Sequence, residues 1–505
     1  MKSNWKKNTE KFFVFIALSV MTFLVCMKSG SAIMNASSNA VDTHVFKYIG
    51  YVMSKGFMPY KDVFDHKGPL LFIINCLGVK IRFFRGVWLF ELAAVFVSAL
   101  FTYKTIRLWC SKLFSLLGVF AIFSILYESF SAGNMTEEYS LPFLCFSCFA
   151  FADYFKTGII NRKRLFALGM SCACVFLLRV NNCALYPVFC FAVIFKCGKE
   201  KAYTNLLFFV KWFSLGFVLI LFPVLVWLKV NGAFNDFIEQ YFVFNKMYSS
   251  DENRANFVKK CKAYLEFLTT KEMLFSLFVL FLCVKSKKSI FNIANLIFVI
   301  FSIYILTISG QTYGHYKITL VPCLVYPSAI FLSKIQKESY SQAEGFCFYA
   351  VLFIFLFNCV PQWKNSVNHI LNCYADHKAH KSHFSKPIYD TAEFIKKNTK
   401  QDDYISVYGN LNILYLLSQR MSVSKYSYQF PIGTINPKYM DEYFDDIKNR
   451  PPKIIVIQKN RLDARMKKFL EENWYSESYK SSEATVFIKD DFDIDSVFEN
   501  AADLL

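Results

Sequence analysis

Long apolar runs separated by short polar connections dominate the first 361 positions of the chain. They lie near 12–27, 70–84, 87–103, 113–129, 141–155, 166–178, 183–196, 206–228, 273–284, 290–308, 318–332 and 346–361. This pattern predicts a dozen hydrophobic helices. A perpendicular crossing of the bilayer needs about 20 residues, so the shorter runs are expected to tilt or to cross incompletely. One stretch breaks the pattern: between Asn35 and Leu71, three aspartates, two histidines, several lysines and a Gly-Pro pair fall between two apolar segments. In its first half Val41, Val45, Tyr48, Ile49, Val52 and Met53 recur at helical spacing, predicting an amphipathic helix. Asn39, with Asp42 three residues on, suits its N-terminal cap, and Lys55-Gly56 its stop. The second half, FMPYKDVFDHKGPLL, is too rich in Pro and Gly for helix. It returns the chain to the membrane, with Pro69 in the first turn of the next helix.

Charge sharpens this picture. The 505-residue chain carries a formal charge of +19, but the cations cluster in short connections between apolar runs. That is what the positive-inside rule produces, so the charge reads as topological and no nucleic-acid partner is expected. Lys2, Lys6, Lys7 and Lys11 place the N-terminus in the cytoplasm; a cleaved signal peptide fits less well, because no small-residue cleavage site follows. The basic linkers Lys104–Lys112, Lys156–Arg164, Lys196–Lys201, Lys285–Lys288 and Lys334–Lys337 also want the cytoplasm. The first loop, NMTEEYS and the stretch 229–270 then face outward, provided that run 70–84 does not make a full crossing. Most of the 16 cysteines sit within apolar runs without ligand-like spacing, so burial is expected rather than disulfides or metal.

After Gln362 the character changes. YISVYG, KIIVIQ and ATVFI read as buried strands alternating with helical stretches at 388–398, 436–448 and 461–472, predicting a small α/β domain with a mainly parallel sheet. The expected organisation is a polytopic α-helical membrane domain over 1–361, with its first extracytoplasmic loop at 29–69. An extracytoplasmic α/β domain follows over 362–505. No Gly-rich phosphate fingerprint follows a strand, so no nucleotide is assigned.

Four polar groups would meet on the outer face. Asp42, Asp62, Asp65, His66 and Lys67 belong to the first loop, and Glu137 and Glu138 to the NMTEEY connection. Arg179, with Asn181 and Asn182, ends run 166–178, and His315 with Tyr316 follows run 290–308. Charges at a membrane are costly unless paired or wet, which makes each group a functional candidate. Each also has a plainer role: Asp42 as a cap, Asp62 in a turn, Lys67 snorkelling to the interface, the glutamates as a solvated loop, His315 as a structural helix-end residue. Arg179, within LLRVNN, is the hardest to assign to structure alone. Asn134-Met135-Thr136 matches a glycosylation acceptor, a chance match in so short a loop.

PYKDVFDHKGPLL, NMTEEYSLPF, LLRVNN and GHYKI together resemble recurring patterns of the GT-C glycosyltransferases, over roughly the first 330 residues. The resemblance is to bacterial relatives of the protein O-mannosyltransferases and aminoarabinose transferases. It implies a GT-C fold in a bacterial cytoplasmic membrane, and transfer of a sugar from a polyprenyl-phosphate donor to a glycan, lipid or protein acceptor of the cell envelope. Asp42 then corresponds to the catalytic aspartate of the first loop, Lys67 to the lysine expected on the donor phosphate, and Glu138, or its neighbour Glu137, to the acidic residue of the second loop. Asp65 joins the catalytic candidates, Arg179 and His315 the phosphate-binding ones, with His66 and Tyr316 beside them. Three positions depart from the pattern: Thr43 stands where many relatives have Glu, His66 where others have Glu, and Gly68 where others have Pro.

The chemistry fits these types. An acceptor hydroxyl needs a carboxylate to take its proton, and one carboxylate suffices if the anomeric configuration inverts. The leaving lipid phosphate needs cations more than a proton. No cofactor is required by this scheme, although Asp42 and Glu138 are a pair that a divalent cation could bridge. Rival readings are a transporter or flippase of lipid-linked saccharides, which predicts repeat halves and mid-membrane charge, and a polymerase using an oligosaccharide-lipid donor.

Overall fold

The computed structural model describes residues 2–35, 41–130, 132–250, 256–337, 342–379 and 384–490. The apolar runs become helices: α1 (Lys2–Cys26), α3 (Pro69–Ile81), α4 (Val87–Arg107), α5 (Lys112–Ser129), α6 (Thr136–Thr157), α7 (Arg162–Leu178), α8 (Leu185–Lys199) and α9 (Tyr203–Val230), then Lys271–Ser286, Ile290–Thr307, Pro322–Lys337 and Gln342–Lys378. By length and composition, six helical segments among the described residues can cross a membrane, or eight if two bent pairs each count as one span. This is fewer than the dozen apolar runs, because several helices are short or carry charge. The protein is a multi-pass membrane protein. Helix α9 shows the lipid-facing character most plainly, since only Phe209, Gly216 and Leu228 along it are buried.

Run 70–84 becomes the short helix α3. Its 13 residues span about 20 Å at 1.5 Å per residue, too short for a hydrocarbon core of about 30 Å. It packs against α2 (Val41–Ser54) as a helical hairpin. The amphipathic expectation for α2 is corrected: every residue from Thr43 to Val52 is buried, His44 and Lys47 included, because the α/β domain packs over the helix, which ends just before Gly56, at φ 96°. The cap expected at Asn39 lies outside the described residues.

The C-terminal region forms a five-stranded sheet of order β2-β1-β3-β5-β4, from β1 (Tyr404–Tyr408), β2 (Met421–Ser422), β3 (Ile454–Gln458), β4 (Tyr475–Lys480) and β5 (Ala484–Lys489). The three predicted strands are β1, β3 and β5. The sheet is mixed rather than mainly parallel: β2, β1 and β3 run parallel, while β5 pairs antiparallel with both β3 and β4. The reason is local, since β4 and β5 are joined by a turn too short for a crossover helix. The 37-residue helix Gln342–Lys378 carries the chain straight through position 361, and the sheet begins only at Tyr404.

Two apolar cores divide the molecule. One fills the helical bundle. The other runs from α2, α3 and the first loop into the sheet, joining Tyr48, Tyr60 and Phe64 to Tyr415, Tyr426 and Val407. Tyr48 stacks on Tyr415 with ring centroids 4.7 Å apart, and its hydroxyl accepts the Ser422 N–H at 2.7 Å. The Phe64 N–H donates to the Lys425 carbonyl at 2.9 Å. The α/β domain is thus built onto the first loop and lies on its side of the bundle.

Candidate active site

Four separated stretches converge on a cavity of about 510 Å³. Its wall includes Asp42, His66, Lys67, Glu137, Arg179, His315 and Tyr316. Seven of the nine site residues expected from sequence therefore face one space, and two do not.

Local structure explains each placement. Asp42 lies exposed in the first turn of α2, where unpaired backbone N–H groups favour a carboxylate. Lys67 is fixed by its neighbours. The Gly68 N–H donates to the Leu178 carbonyl at 3.0 Å, and a Cβ at Gly68 would sit 2.0 Å from the Leu177 carbonyl oxygen. Only glycine lets the loop cross the end of α7 this closely, so the Gly68 departure is what brings Lys67 beside Arg179. Helix α7 is itself seated on α9 through two glycines: a Cβ at Gly169 would meet the Phe213 carbonyl oxygen at 1.9 Å, and one at Gly216 the Phe166 carbonyl oxygen at 1.9 Å.

Arg179 follows the last turn of α7 and pairs with Glu137 from the first turn of α6. Its other amino group donates to the Tyr316 hydroxyl at 2.9 Å, and the guanidinium lies 4.6 Å from the centre of that ring. Glu137 also accepts from the Thr136 hydroxyl at 2.8 Å. A half-buried arginine is stable here because the carboxylate and the phenol satisfy it. His315, stacked on Tyr313 at 5.7 Å, lies within electrostatic range of Asp42, Lys67, Glu137 and Arg179.

Lys67 Nζ lies 2.6 Å from His66 Nε2. Burial first, then Lys67 and Arg179, push the imidazole well below its ordinary pKa, so it is neutral and accepts the lysine proton on Nε2. The cavity therefore has the cations Lys67, Lys246 and Arg179 on its wall, and a carboxylate, Asp42, that belongs to no ion pair among the described residues.

Glu138 and Asp65 are placed elsewhere. Glu138 is fully buried behind the cavity, reaching back to the Met135 N–H at 3.3 Å as a capping interaction. Of the adjacent glutamates, Glu137 is the one on the cavity wall. Asp65 is buried beneath the loop as a clamp: one oxygen accepts the Lys67 N–H at 2.8 Å, the other the Tyr428 hydroxyl of the α/β domain at 2.9 Å. Burial raises its pKa above the ordinary carboxylate range, against the opposing pull of Lys67 and these hydrogen bonds. Asp62 closes a turn by accepting the Met58 N–H at 2.7 Å, a structural role away from the cavity. Asn134 of the sequon is buried and exchanges hydrogen bonds with Asn75 at 2.8 and 3.1 Å. Among the described residues, no group of three or more His, Cys, Asp or Glu side chains is close enough to hold a metal ion.

The opposite wall was missed in the sequence. Tyr241, Phe242, Asn245, Tyr248 and Ser249 come from a helical segment containing a π turn at Glu239–Val243. Asn245 donates to the His66 carbonyl at 2.8 Å; Gln240 donates to the Tyr60 carbonyl at 2.7 Å and accepts the Asp65 N–H at 3.2 Å. The available signal was a Gln and an Asn embedded in an aromatic run, FIEQYFVFNKMY.

With this geometry in hand, comparisons place the fold. The family model for the Putative competence-induced protein Ccs4 N-terminal domain matches residues 2–360. A crystal structure of ArnT from Cupriavidus metallidurans bound to undecaprenyl phosphate is similar over 96% of this chain and 99% of that one, at TM-score 0.59 and 10% identity. The apo state of the same protein matches over 95% and 98%, at 0.59 and 10%. The apo oligosaccharyltransferase of Archaeoglobus fulgidus matches over 95% of this chain and 74% of that one, at 0.52 and 12%. No curated protein sequence matches the chain. The fold is of the GT-C type, with a small C-terminal α/β domain.

Proposed function

We propose that this chain, which belongs to the competence-induced Ccs4 family, is an integral membrane glycosyltransferase. It moves a sugar from a polyprenyl-phosphate carrier to a cell-envelope acceptor on the extracytoplasmic face of a bacterial cytoplasmic membrane. Its N-terminus is cytoplasmic and its α/β domain outside. The observation that carries the reading is the convergence of Asp42, Lys67 and the Glu137–Arg179 pair on one cavity from stretches far apart in the chain. The undecaprenyl phosphate bound by a protein of the same fold supports the donor class.

In this scheme Asp42, the unpaired carboxylate of the cavity, takes the proton of the acceptor hydroxyl as that oxygen attacks the anomeric carbon. The anomeric C–O bond to phosphate breaks, and its electron pair leaves with the lipid phosphate beside Lys67 and Arg179. The products are the glycosylated acceptor and the polyprenyl phosphate, with inversion at the anomeric carbon. Glu137 is already committed to Arg179, so it holds that cation in place rather than moving a proton. His66, neutral and bonded to Lys67, aims the ammonium. The scheme needs no metal step.

The test is incubation of the purified protein with a set of polyprenyl-phosphate sugars and envelope acceptors, followed by mass analysis. Asp42→Asn should abolish transfer with donor binding retained, whereas Lys67→Ala should weaken donor binding. Full transfer by Asp42→Asn would remove Asp42 from the role.

A further inference from the structure

A second cavity, of about 470 Å³, lies at the seam between the first loop and the α/β domain and shares no lining residue with the first. Helix α2 walls both: Asp42 and Phe46 face the first, Tyr48 and Val52 the second. The loop likewise divides, with Lys61 and Asp62 on the second cavity and His66 and Lys67 on the first. Asp42 and Val52 are about 15 Å apart along the α2 axis at 1.5 Å per residue. The volume falls within the roughly 300–1,000 Å³ typical of ligand sites.

We propose that this second cavity binds an uncharged saccharide. Its lining carries three cations and four carboxylates: Lys61, Lys425 and Arg450 against Asp62, Glu442, Asp445 and Asp446. Either sign of net charge on a ligand would meet like charges from several directions, so a phosphate or a polyamine is disfavoured. A strand-adding peptide is also disfavoured. The cavity lies along β2, the edge strand, which is only two residues long, and its Ser422 N–H is already bonded to the Tyr48 hydroxyl. What remains suits sugar hydroxyls, each of which donates and accepts at once. Arg450 lies over the Tyr404 ring at 3.7 Å, and neither its guanidinium N–H groups nor the exposed Asp445 carboxylate make a hydrogen bond or ion pair among the described residues. Unspent donors and acceptors therefore stand close together, in a cavity that the exposed ring of Phe57 also lines. Naming this saccharide the acceptor rests on the transferase reading, but its binding does not.

The experiment is saturation-transfer NMR on the full-length protein in detergent, with neutral trisaccharides of several linkages and one sialylated trisaccharide as probes. Binding of undecaprenyl phosphate is measured on the same samples. At least one neutral trisaccharide should bind the wild type and Lys67→Ala alike. Asp445→Ala and Arg450→Ala should each weaken it about tenfold, the loss of one charge-assisted hydrogen bond. Binding of none of the neutral probes overturns the proposal. So does preference for the sialylated probe, or a signal lost in Lys67→Ala but kept in Asp445→Ala and Arg450→Ala. Saccharide binding that survives while undecaprenyl phosphate fails to bind upholds this site and counts against the donor reading alone.

Discussion

Replacing Tyr428 with Phe removes one oxygen from the α/β domain and should be felt at Lys67. The Tyr428 hydroxyl donates to Asp65 at 2.9 Å, and Asp65 in turn holds the Lys67 N–H at 2.8 Å. Both side chains are buried, at 7% and 2% exposure, and phenylalanine keeps the packing volume, so the lost bond is the perturbation. A hydrogen bond to a charged group is worth about 1.5–3 kcal/mol. Donor affinity should therefore fall roughly tenfold to a hundredfold if the loop depends on it. A pH effect accompanies this. Burial already holds the Asp65 carboxyl above its ordinary range, and the phenol is one of the groups pulling it down. Anionic Asp65 anchors Lys67, so donor binding is present above the Asp65 pKa and lost as pH falls through it. In Tyr428→Phe that loss should begin at higher pH. The assay is undecaprenyl phosphate binding across the acidic range. Tyr426→Phe is the control, since the Tyr426 hydroxyl bonds Glu442 outside the cavity. Affinity within about twofold of wild type, the scatter of neutral substitutions, together with an unmoved acid limb would refute the coupling.

Other residues make separate predictions. Gly68→Ala should displace the loop, because its Cβ would sit 2.0 Å from a backbone oxygen; donor binding should fall well beyond the effect of Gly198→Ala in α8, where nothing lies within 4 Å. Arg179→Met leaves Glu137 buried without its cation and should lower stability by about 3–5 kcal/mol. Adding Glu137→Gln should restore part of the loss in thermal unfolding. Burial, then Lys47, holds His44 neutral down to about pH 3, and His66 is also depressed. The unfolded chain takes up these protons from about pH 6.5, so the histidines' contribution to stability is present above that pH and lost as pH falls, by up to ~1.4 kcal/mol per unit each. A pH series of unfolding should therefore fall less steeply in His44→Gln than in the wild type.

What the chain reveals in advance follows from which forces are local. The helices were legible because a lipid-facing helix is apolar along its own length, and β1 and β3 because a strand buried on both faces is a continuous apolar run. Strand β5 was legible from its apolar residues, although only Ala484 and Val486 of it are buried. Strand β4 has an almost wholly exposed pattern, Tyr475 alone being buried, so nothing in YSESYK marks it, and with it the antiparallel half of the sheet was lost. The candidate site was legible to the extent that charge beside a membrane must be explained. That principle selects a loop, but not a side chain within it. Glu137 and Glu138 are neighbours on one helix turn, about 100° apart around the axis, and only the rotation of α6, set by packing on α4 and α7, decides which of them faces Arg179. Asp65 poses the same problem over a longer range: its partner Tyr428 lies 363 positions away, on a domain whose docking no periodicity encodes. The residues hardest to place from sequence are thus those tying the α/β domain to the first loop. If Asp65 needs Tyr428 to hold Lys67, a chain ending before the sheet should keep its helices and lose its hold on a lipid phosphate.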